Sequence, residues 1–271
     1  MDGINFVAMP RRVSSFRPVG ANGADLQAQL ALTSCLRETA YRIRYDAYKS
    51  FGYVSECKNG IFSDSYDERA NCQTALVFKD GCAAATIRIA TYDAERDDPA
   101  YHHVQAMEIF GTEMKAVLSE LRSGGRVPKA AEVGKLGRLP THARDMDIIF
   151  ALFRTIGYLI LHQEIDVVFN AVREHHMPMY RRFGFQQLEP PRPYPGLTFK
   201  TGLMACFRPS YGVARNSLPF LRGISKDDAT YTKLIAGERV AIFGDNAPSA
   251  VRPAGPVAPL SQTPDGLRNC A

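Results

Sequence analysis

Four charged residues in the first third of the chain combine two carboxylates with two guanidinium groups. Arg44 lies in the stretch RYDAY, Asp64 and Asp67 lie in DSYD, and Arg88 lies in TIRIAT. A cluster of opposite charges can fix a loop over a pocket, where a carboxylate can also take a proton from a substrate. The same residues can instead be salt bridges that hold a loop to a sheet. The sequence leaves both roles open.

The composition is that of an ordinary globular protein. The chain has 271 residues, of which 45% are hydrophobic and 23% charged, which is enough for one large domain or two small ones. The formal net charge of +5 is too small to predict nucleic-acid binding. The apolar run at 148–161 is interrupted by Arg154, so we expect a buried helix there, no membrane span and no secretory signal.

Cysteines and histidines give no indication of a metal site. The six cysteines contain no C-x-x-C pair, and we expect reduced thiols in a cytoplasmic protein. The adjacent histidines at 102–103 and 175–176 point apart in a helix or a strand, with no third ligand at a suitable spacing. The sequence therefore predicts no bound metal.

Helices and strands that could position the charged residues alternate along the chain. A helix is expected from Ser34, its N-cap, and the Asp-Gly pair at 80–81 predicts a hairpin. The remaining expected elements, in chain order, are a first strand at 27–33, hairpin strands at 74–78 and 83–90, a helix at 101–121, a strand at 131–139, a helix at 145–163, a strand at 165–172, a helix at 178–183, and strands at 185–188 and 197–207. This order predicts an α/β (α+β) fold with a mixed, mostly antiparallel central sheet flanked by helices.

Composition divides the chain into four parts. Residues 1–29 are expected to be a loose N-terminal arm, 30–208 the main domain, and 209–246 a peripheral extension. Residues 247–271, rich in proline and small residues, are expected to be a disordered tail.

The segment around Tyr180 resembles the end of a GNAT acyltransferase. In that fold a strand, here VVFNAV, is followed by a helix that carries a tyrosine and by a Gly-Phe turn, here Gly184 and Phe185. The resemblance implies the twisted GNAT sheet. It also implies that Tyr180 protonates a leaving thiolate, although a tyrosine of the core would look the same.

An ordered set of motifs resembles the N-acyl amino acid synthases of the FeeM type and, more distantly, the LuxI-type acyl-homoserine-lactone synthases. The set comprises RYDAY, DSYD, the strand with Arg88, MEIFG at 107–111, and EVGKL at 132–136, and it spans about residues 30–207. Those families usually carry Ser-Arg where this chain has Gly134 and Lys135. Lysine retains the charge but loses the planar fork of arginine. Arg138 could compensate, although its spacing places it on the opposite strand face.

The turn before the long helix indicates which kind of acyl donor to expect. Ordinary GNAT enzymes bind the coenzyme A pyrophosphate there through backbone N–H groups and glycine, but residues 140–145 contain no glycine. Asp145 and Asp147 also place negative charge at that end. We therefore expect an acyl carrier protein thioester, an acyl-phosphopantetheine, as donor and no permanently bound cofactor. The expected carrier-binding residues, which could equally be scattered surface charge, are Arg144, Arg154, Arg173, Arg181 and Arg182.

The resemblance implies transfer of a long-chain fatty acyl group to the amine of an amino acid or similar small molecule. Glu132 is the first candidate for the base that deprotonates the amine, with Asp64 and Asp67 behind it. Backbone N–H groups between Lys135 and Arg138 would bind the oxyanion. The expected catalytic set is Glu132, Lys135 and Tyr180; the expected substrate-binding set is Arg44, Asp64, Asp67, Arg88 and Arg138.

A long acyl chain requires an apolar channel. The long helix offers Phe150, Phe153, Ile156 and Gly157 for its wall, or the same residues simply fill the core. The lipid product could bring peripheral contact with a membrane. Three alternatives stay open: a signal synthase of the acyl-homoserine-lactone kind, an ordinary coenzyme A-dependent GNAT enzyme, and a catalytically weak carrier-binding module.

Overall fold

The computed structural model describes residues 26–122, 126–194 and 197–243, which form one central sheet flanked by helices on both faces. The strands of this part of the chain are Leu26–Leu30 (β1), Cys72–Lys79 (β2), Cys82–Tyr92 (β3), Ala130–Arg138 (β4), Val167–Val172 (β5), Gln186–Gln187 (β6), Arg192–Pro193 (β7), Lys200–Phe207 (β8) and Val240–Ala241 (β9). The helices are Ser34–Lys49 (α1), Met107–Leu121 (α2), Met146–His162 (α3), Met177–Arg182 (α4), Arg208–Ser217 (α5) and Thr230–Ile235 (α6).

The sheet is mixed and mostly antiparallel, as the sequence predicts. Its strand order is β6-β8-β5-β4-β3-β2-β1-β9, with β7 paired to β8. β4 and β5 pair in parallel, and the other pairs in the sheet are antiparallel. The predicted hairpin turn joins β2 to β3, where Asp80 and Gly81 have φ of 51° and 78°. Two consecutive positive φ values give a turn whose twist matches that of the flanking strands.

The helices cover opposite faces of the sheet because apolar residues alternate along the strands. On one face Ala40 and Ile43 of α1 pack against Leu76 and Phe78. Phe110 of α2 extends that face toward β5 and β8. On the other face α3 packs its long apolar side against β1 to β4. The two layers enclose the sheet and leave its central strands buried.

Two helices begin at residues other than the predicted ones. The N-cap of α1 is Thr33 and not Ser34, since its side chain accepts the backbone N–H of Leu36 at 3.3 Å. α2 begins at Met107, because Asp98 and Pro99 start a separate 3-10 turn at Pro99–His102. Neither change alters the order of elements.

The prediction that 209–246 is a peripheral extension is wrong for the part of it that the structure describes. Leu218, Phe220 and Leu221 are buried in the main core beneath α3. β9 then pairs with β1, which itself begins inside the expected arm, at Leu26. Apolar side chains spaced along this segment complete the core, and they outweigh the loop-like composition around them. The expected tail at 247–271 and residues 1–25 of the arm lie outside the described residues.

Within the described ranges, no helix combines the length and the apolar character required to cross a membrane.

Candidate active site

A cleft opens where β4 and β5 diverge. The two strands pair only from Ala130–Glu132 to Val167–Phe169, and beyond Glu132 a cavity of about 560 Å³ lies between them, lined by residues 132–138 of β4 and 170–172 of β5. With its amide nitrogen toward the sheet, Asn170 donates to the carbonyl oxygen of Val133 across the opening at 3.3 Å. The cleft gives an extended substrate access to strand backbone that neighbouring strands otherwise cover.

β4 is irregular at the cleft. The register with β3 shifts between Thr86 and Arg88, and Lys135 has a φ of 52° in the left-handed region. An extra residue in one strand of an antiparallel pair produces such a bulge, which re-aims side chains locally. Lys135 is thereby turned toward the loop that carries Asp64.

A buried network joins the predicted charged residues. Arg44 contacts Asp67 at 2.8 Å, and Arg88 contacts Asp67 at 3.1 Å and Asp64 at 2.7 Å. Lys135 Nζ completes the network at 2.8 Å from Asp64. These pairs connect α1, the 64–67 loop, β3 and β4. The structure thus brings four of the five predicted substrate-binding residues together with one predicted catalytic residue.

The network keeps both aspartates ionised. Burial by itself opposes the charged form of Asp64 and Asp67, but the neighbouring cations outweigh burial and hold both pKa values below the ordinary aspartate value. For Lys135, burial and the nearby Arg88 lower the pKa, while Asp64 opposes that shift. Acceptor-only carboxylates held by cations are poor bases, so Asp64 and Asp67 are better suited to fixing the loop than to taking a proton.

Among the described residues that line the cleft, Glu132 is a carboxylate with no cation in direct contact. Its side chain lines the cleft and accepts the backbone N–H of Ala106 at 2.8 Å. Burial raises the pKa of Glu132, and Arg88 and the N–H group of Ala106 offset only part of that effect. A carboxyl whose pKa is moved toward neutrality is better matched to general-base work.

Tyr180 lies at the far side of the cleft, on α4. Burial raises its pKa to about 12, and its hydroxyl is hydrogen-bonded to Asn170. The ring packs edge-on against Phe153 and Phe185, at centroid distances of 5.9 and 5.3 Å. The phenol is therefore protonated at neutral pH and fixed in orientation by its aromatic neighbours.

Arg138 lies apart from the charge network. Its guanidinium donates to the carbonyl oxygens of Asp145, at 2.5 Å, and Ala143. It therefore fixes the turn at the mouth of the cleft. Arg138 does not take the place of Lys135 beside Asp64, in keeping with the opposite strand face that the spacing predicts.

The N-terminus of α3 is already capped. The side chain of Asp145 accepts the backbone N–H of Asp147 at 3.1 Å and forms an ion pair with Lys79. These first-turn N–H groups are the ones that would meet a pyrophosphate.

The predicted acyl-channel residues divide into two groups. Phe153, Ile156 and Gly157 line a second, apolar cavity of about 50 Å³, which shares Val133 and Asn170 with the main cleft. Phe150 lines neither cavity and stacks on Phe220, with ring centroids 4.7 Å apart. Phe150 therefore fits the core alternative better than the channel.

The predicted carrier-binding arginines also separate. Arg144, Arg181 and Arg182 are exposed, whereas Arg154 is only 5% exposed and donates to the carbonyl oxygens of Phe220, Arg222 and Ile242. The expectation that Arg154 contacts a carrier is wrong, because the C-terminal segment covers it. Arg173 is half-buried and lines the cleft.

Several cleft residues carried no sequence signal of their own. Gln105 accepts from Arg88 at 2.6 Å, and Tyr194 lines the cleft between the charge network and β8. Tyr48, in the last turn of α1, packs against Tyr53, which in turn packs against Phe199. Tyr48 is the exception, since its spacing of one helical turn after Arg44 indicates a shared helix face that could be functional or simply solvated.

The splayed β4–β5 pair, the cleft between the strands and the helices on both faces define the class of protein: an acyltransferase with a GNAT-like fold. The profile of the family described as N-acyl amino acid synthase FeeM matches residues 39–206. The chain belongs to this family of N-acyltransferases.

The chain is similar to several solved structures. FeeM, an N-acyl amino acid synthase from uncultured soil microbes, is similar over 70% of this chain and 93% of its own, at 19% identity and a TM-score of 0.56. MesI, a CoA-dependent acyl-homoserine lactone synthase, matches 74% of this chain and 100% of its own at 15% identity and a TM-score of 0.49. The ribosomal-protein-S18-alanine N-acetyltransferase of Escherichia coli matches 66% and 93% at 13% identity and a TM-score of 0.40. No curated protein sequence matches the chain.

Proposed function

We propose that the protein transfers a long-chain fatty acyl group from an acyl carrier protein thioester to the amine of an amino acid or a similar small amine. The observation that supports this proposal is the cleft between β4 and β5, whose lining includes the buried side chains of Glu132 and Tyr180. A pantetheine arm is narrow and extended, and it suits a slot between two diverging strands.

Glu132 acts as the base. The neutral amine attacks the thioester carbonyl carbon, a C–N bond forms, and the amine proton passes to Glu132 directly or through water. The raised pKa of Glu132 makes it a stronger base than an exposed glutamate. Support for this role comes from its burial in the cleft and from the absence of a cationic partner in direct contact among the described side chains.

The oxyanion and the leaving group need donors. Backbone N–H groups of the irregular stretch from Lys135 to Arg138 are placed along the cleft wall, where they would bind the oxyanion. When the C–S bond breaks, protonated Tyr180 supplies the proton to the thiolate. Lys135 contributes by tying the 64–67 loop to the bulge in β4.

The capped end of α3 supports a carrier protein as donor. Asp145 already satisfies the N–H group of Asp147 and adds a negative charge, so a coenzyme A pyrophosphate would meet a less favourable site. A carrier-bound arm has one phosphodiester and draws further binding energy from the protein that carries it. Exposed Arg144, Arg181 and Arg182 are available to an acidic carrier surface.

One experiment tests both parts of the proposal. Purified protein is incubated with a mixture of amino acids and either dodecanoyl carrier protein or dodecanoyl-coenzyme A, and the lipid extract is analysed by mass spectrometry. The proposal predicts N-acyl amino acids, with a higher kcat/KM for the carrier-bound donor. Equal or better kcat/KM with coenzyme A would reject the donor, and no acylated amino acid with either donor would reject the reaction.

A further inference from the structure

Arg173 follows the last residue of β5 and lines the cleft beside two aromatic rings. Its guanidinium carbon lies 4.0 Å from the ring centroid of Tyr53 and 4.9 Å from that of Phe199. The loops that carry these rings are joined by Thr198, which donates to the carbonyl oxygen of Gly52 at 3.1 Å. The two ring centroids are themselves 4.9 Å apart, so both rings pack on one side of the guanidinium and hold it in place, and its N–H donors can meet a ligand on the remaining side.

One end of this guanidinium has no partner. Nη1 of Arg173 is buried and makes no hydrogen bond to any described residue. Nη2 lies 3.4 Å from both ring nitrogens of His176. Burial, with the charge of Arg173, lowers the pKa of His176 to about 4, so the ring is neutral near pH 7 and can accept that N–H. A buried, unpaired donor on a cation is costly unless a ligand satisfies it.

The other cations of the cleft are already engaged. Among the lysine and arginine side chains of the described cleft, Arg88 and Lys135 are paired with Asp64. Arg138 is held by two backbone carbonyl oxygens. The cation with an open donor edge is therefore Arg173.

Arg173 also lies on the side of the sheet where the amine is activated. Ala171 packs in the cluster formed by α2, β5 and β8, and the two-residue period of a strand directs Arg173 to the same face. Glu132 bonds to Ala106 of the segment that leads into α2. A ligand held by Arg173 is thus on the face of Glu132, whereas the small apolar cavity under α3 lies behind the sheet.

We infer that Arg173, held in place against Tyr53 and Phe199, binds the carboxylate of the acceptor amino acid and so selects amino acids over plain amines. This inference rests on the proposed function. A carboxylate matches the guanidinium edge and would satisfy the orphan Nη1. The phosphodiester of the donor arm offers similar oxygens. The two candidate ligands can be distinguished, because a substitution at Arg173 should raise the KM of whichever substrate it binds, the acceptor or the donor.

The kinetic test pairs acids with their amides. Parent and Arg173→Gln proteins are assayed with L-leucine, L-phenylalanine and L-glutamine, each beside its C-terminal amide. The parent should prefer each acid, and Arg173→Gln should raise the KM for the acids about 10- to 100-fold with little change for the amides. Arg173→Lys, which keeps the charge without the fork, should fall between the two. Arg222→Gln removes an exposed charge that lines neither cavity and should behave as the parent.

A binding measurement separates this inference from the proposed reaction. Isothermal titration with N-dodecanoyl-L-leucine and its amide needs no turnover. The parent should bind the acid more tightly than the amide, and Arg173→Gln should lose that difference. Equal affinities in parent and variant, or no binding by the parent, would overturn the inference even if acyl transfer is confirmed. If Arg173→Gln raises the KM for the acyl carrier protein and leaves the KM for the acids unchanged, Arg173 binds the phosphodiester of the donor instead.

Discussion

Nζ of Lys135 lies 2.8 Å from Oδ2 of Asp64, while the lysine backbone has a φ of 52°. A left-handed residue other than glycine is strained, by roughly 1–3 kcal/mol. The bulge in β4 and the ion pair therefore depend on each other: the bulge aims the ammonium, and the carboxylate holds the strained residue. Lysine can stand where the related families have arginine, because one ammonium group at this distance is enough to pair with Asp64.

Lys135→Met should weaken the loop in a pH-dependent way. The pKa of Asp64 is lowered in the folded state, so its ion pairs contribute stability above the unfolded aspartate pKa, about 4, and that stability is lost as the pH falls through the folded value. The variant should be less stable than the parent by about 1 kcal/mol at pH 7, after allowance for the partial exposure of Asp64. Urea unfolding at several pH values checks this; the difference between the two proteins should shrink below about pH 4. A constant difference at all pH values would exclude a role for the Asp64 charge.

Asp67→Asn should destabilise the fold strongly. Both partners in the Arg44–Asp67 pair are fully buried, and removing one charge leaves the other uncompensated, at a cost of about 3–5 kcal/mol. The free energy of unfolding in guanidinium chloride measures the loss. Glu56→Gln, which breaks the exposed pair with Lys49, is the matched control and should leave that free energy unchanged. Similar values for both variants would mean that the buried network contributes no more than a surface pair.

Glu132→Gln should reduce kcat about 10²- to 10⁴-fold, as expected for loss of a general base. Because burial raises the pKa of Glu132, the acidic limb of the parent kcat/KM profile should lie above the ordinary glutamate pKa, and activity should rise with pH through that limb. Steady-state kinetics from pH 4 to 9 give both results. Exposed Glu38 is the control residue: Glu38→Gln should keep the parent rate. Turnover of Glu132→Gln within a factor of two of the parent would remove the base assignment.

Asp145→Ser should shift donor preference. Serine remains a good N-cap, so stability should change little, but the negative charge at the start of α3 is lost. The ratio of kcat/KM for dodecanoyl-coenzyme A to that for dodecanoyl carrier protein should rise by about three- to tenfold, from a helix-terminus effect of roughly 1 kcal/mol. Asp147→Ser is the control, because it removes a negative charge from the same turn but leaves the N-cap residue Asp145 in place. An unchanged ratio in Asp145→Ser would place donor discrimination elsewhere.

Phe153→Ala and Phe150→Ala distinguish an acyl channel from core packing. Phe153 lines the small apolar cavity and Phe150 does not. Both should lose stability, by about 3–5 kcal/mol for a purely core phenylalanine, but only Phe153→Ala should shift the preferred donor toward longer chains. Product yields across donors of eight to sixteen carbons decide this. Gly157→Val is a poorer probe, because a Cβ there would lie 2.9 Å from Ile224 and 3.1 Å from the hydroxyl of Tyr211.

The sequence was most informative where the signal is local. Apolar periodicity placed α3 within one residue at each end, and Asp80-Gly81 predicted the hairpin between β2 and β3. The motifs that resemble the FeeM type contain the members of the charge network, and their opposite charges allowed a cluster to be expected. In the structure, Lys135 also belongs to this network through its ion pair with Asp64.

What the sequence could not predict depends on contacts between distant segments. Arg154 looked like a surface charge because its partners are backbone carbonyl oxygens of residues 220, 222 and 242, which any residue supplies. The contacts of Arg173 with Tyr53 and Phe199 join side chains from three separate loops, and none of these residues is distinctive in its own stretch. The segment after β8 gives little sequence signal because its short helices are weakly periodic, although its apolar residues fill the core.

β9, near the end of the described chain, has a bearing on how the protein folds. It pairs with β1, the first strand described, and Ile242 donates to the carbonyl oxygen of Leu26 at 3.1 Å. Contacts between strands that are so far apart in sequence form late, because the ends of the long segment between β1 and β9 must first be brought together. During synthesis β1 would present an open edge until residues 240–242 leave the ribosome, and an open edge is a template for pairing with another chain. The interval before β9 docks is therefore when a nascent molecule is most prone to aggregate.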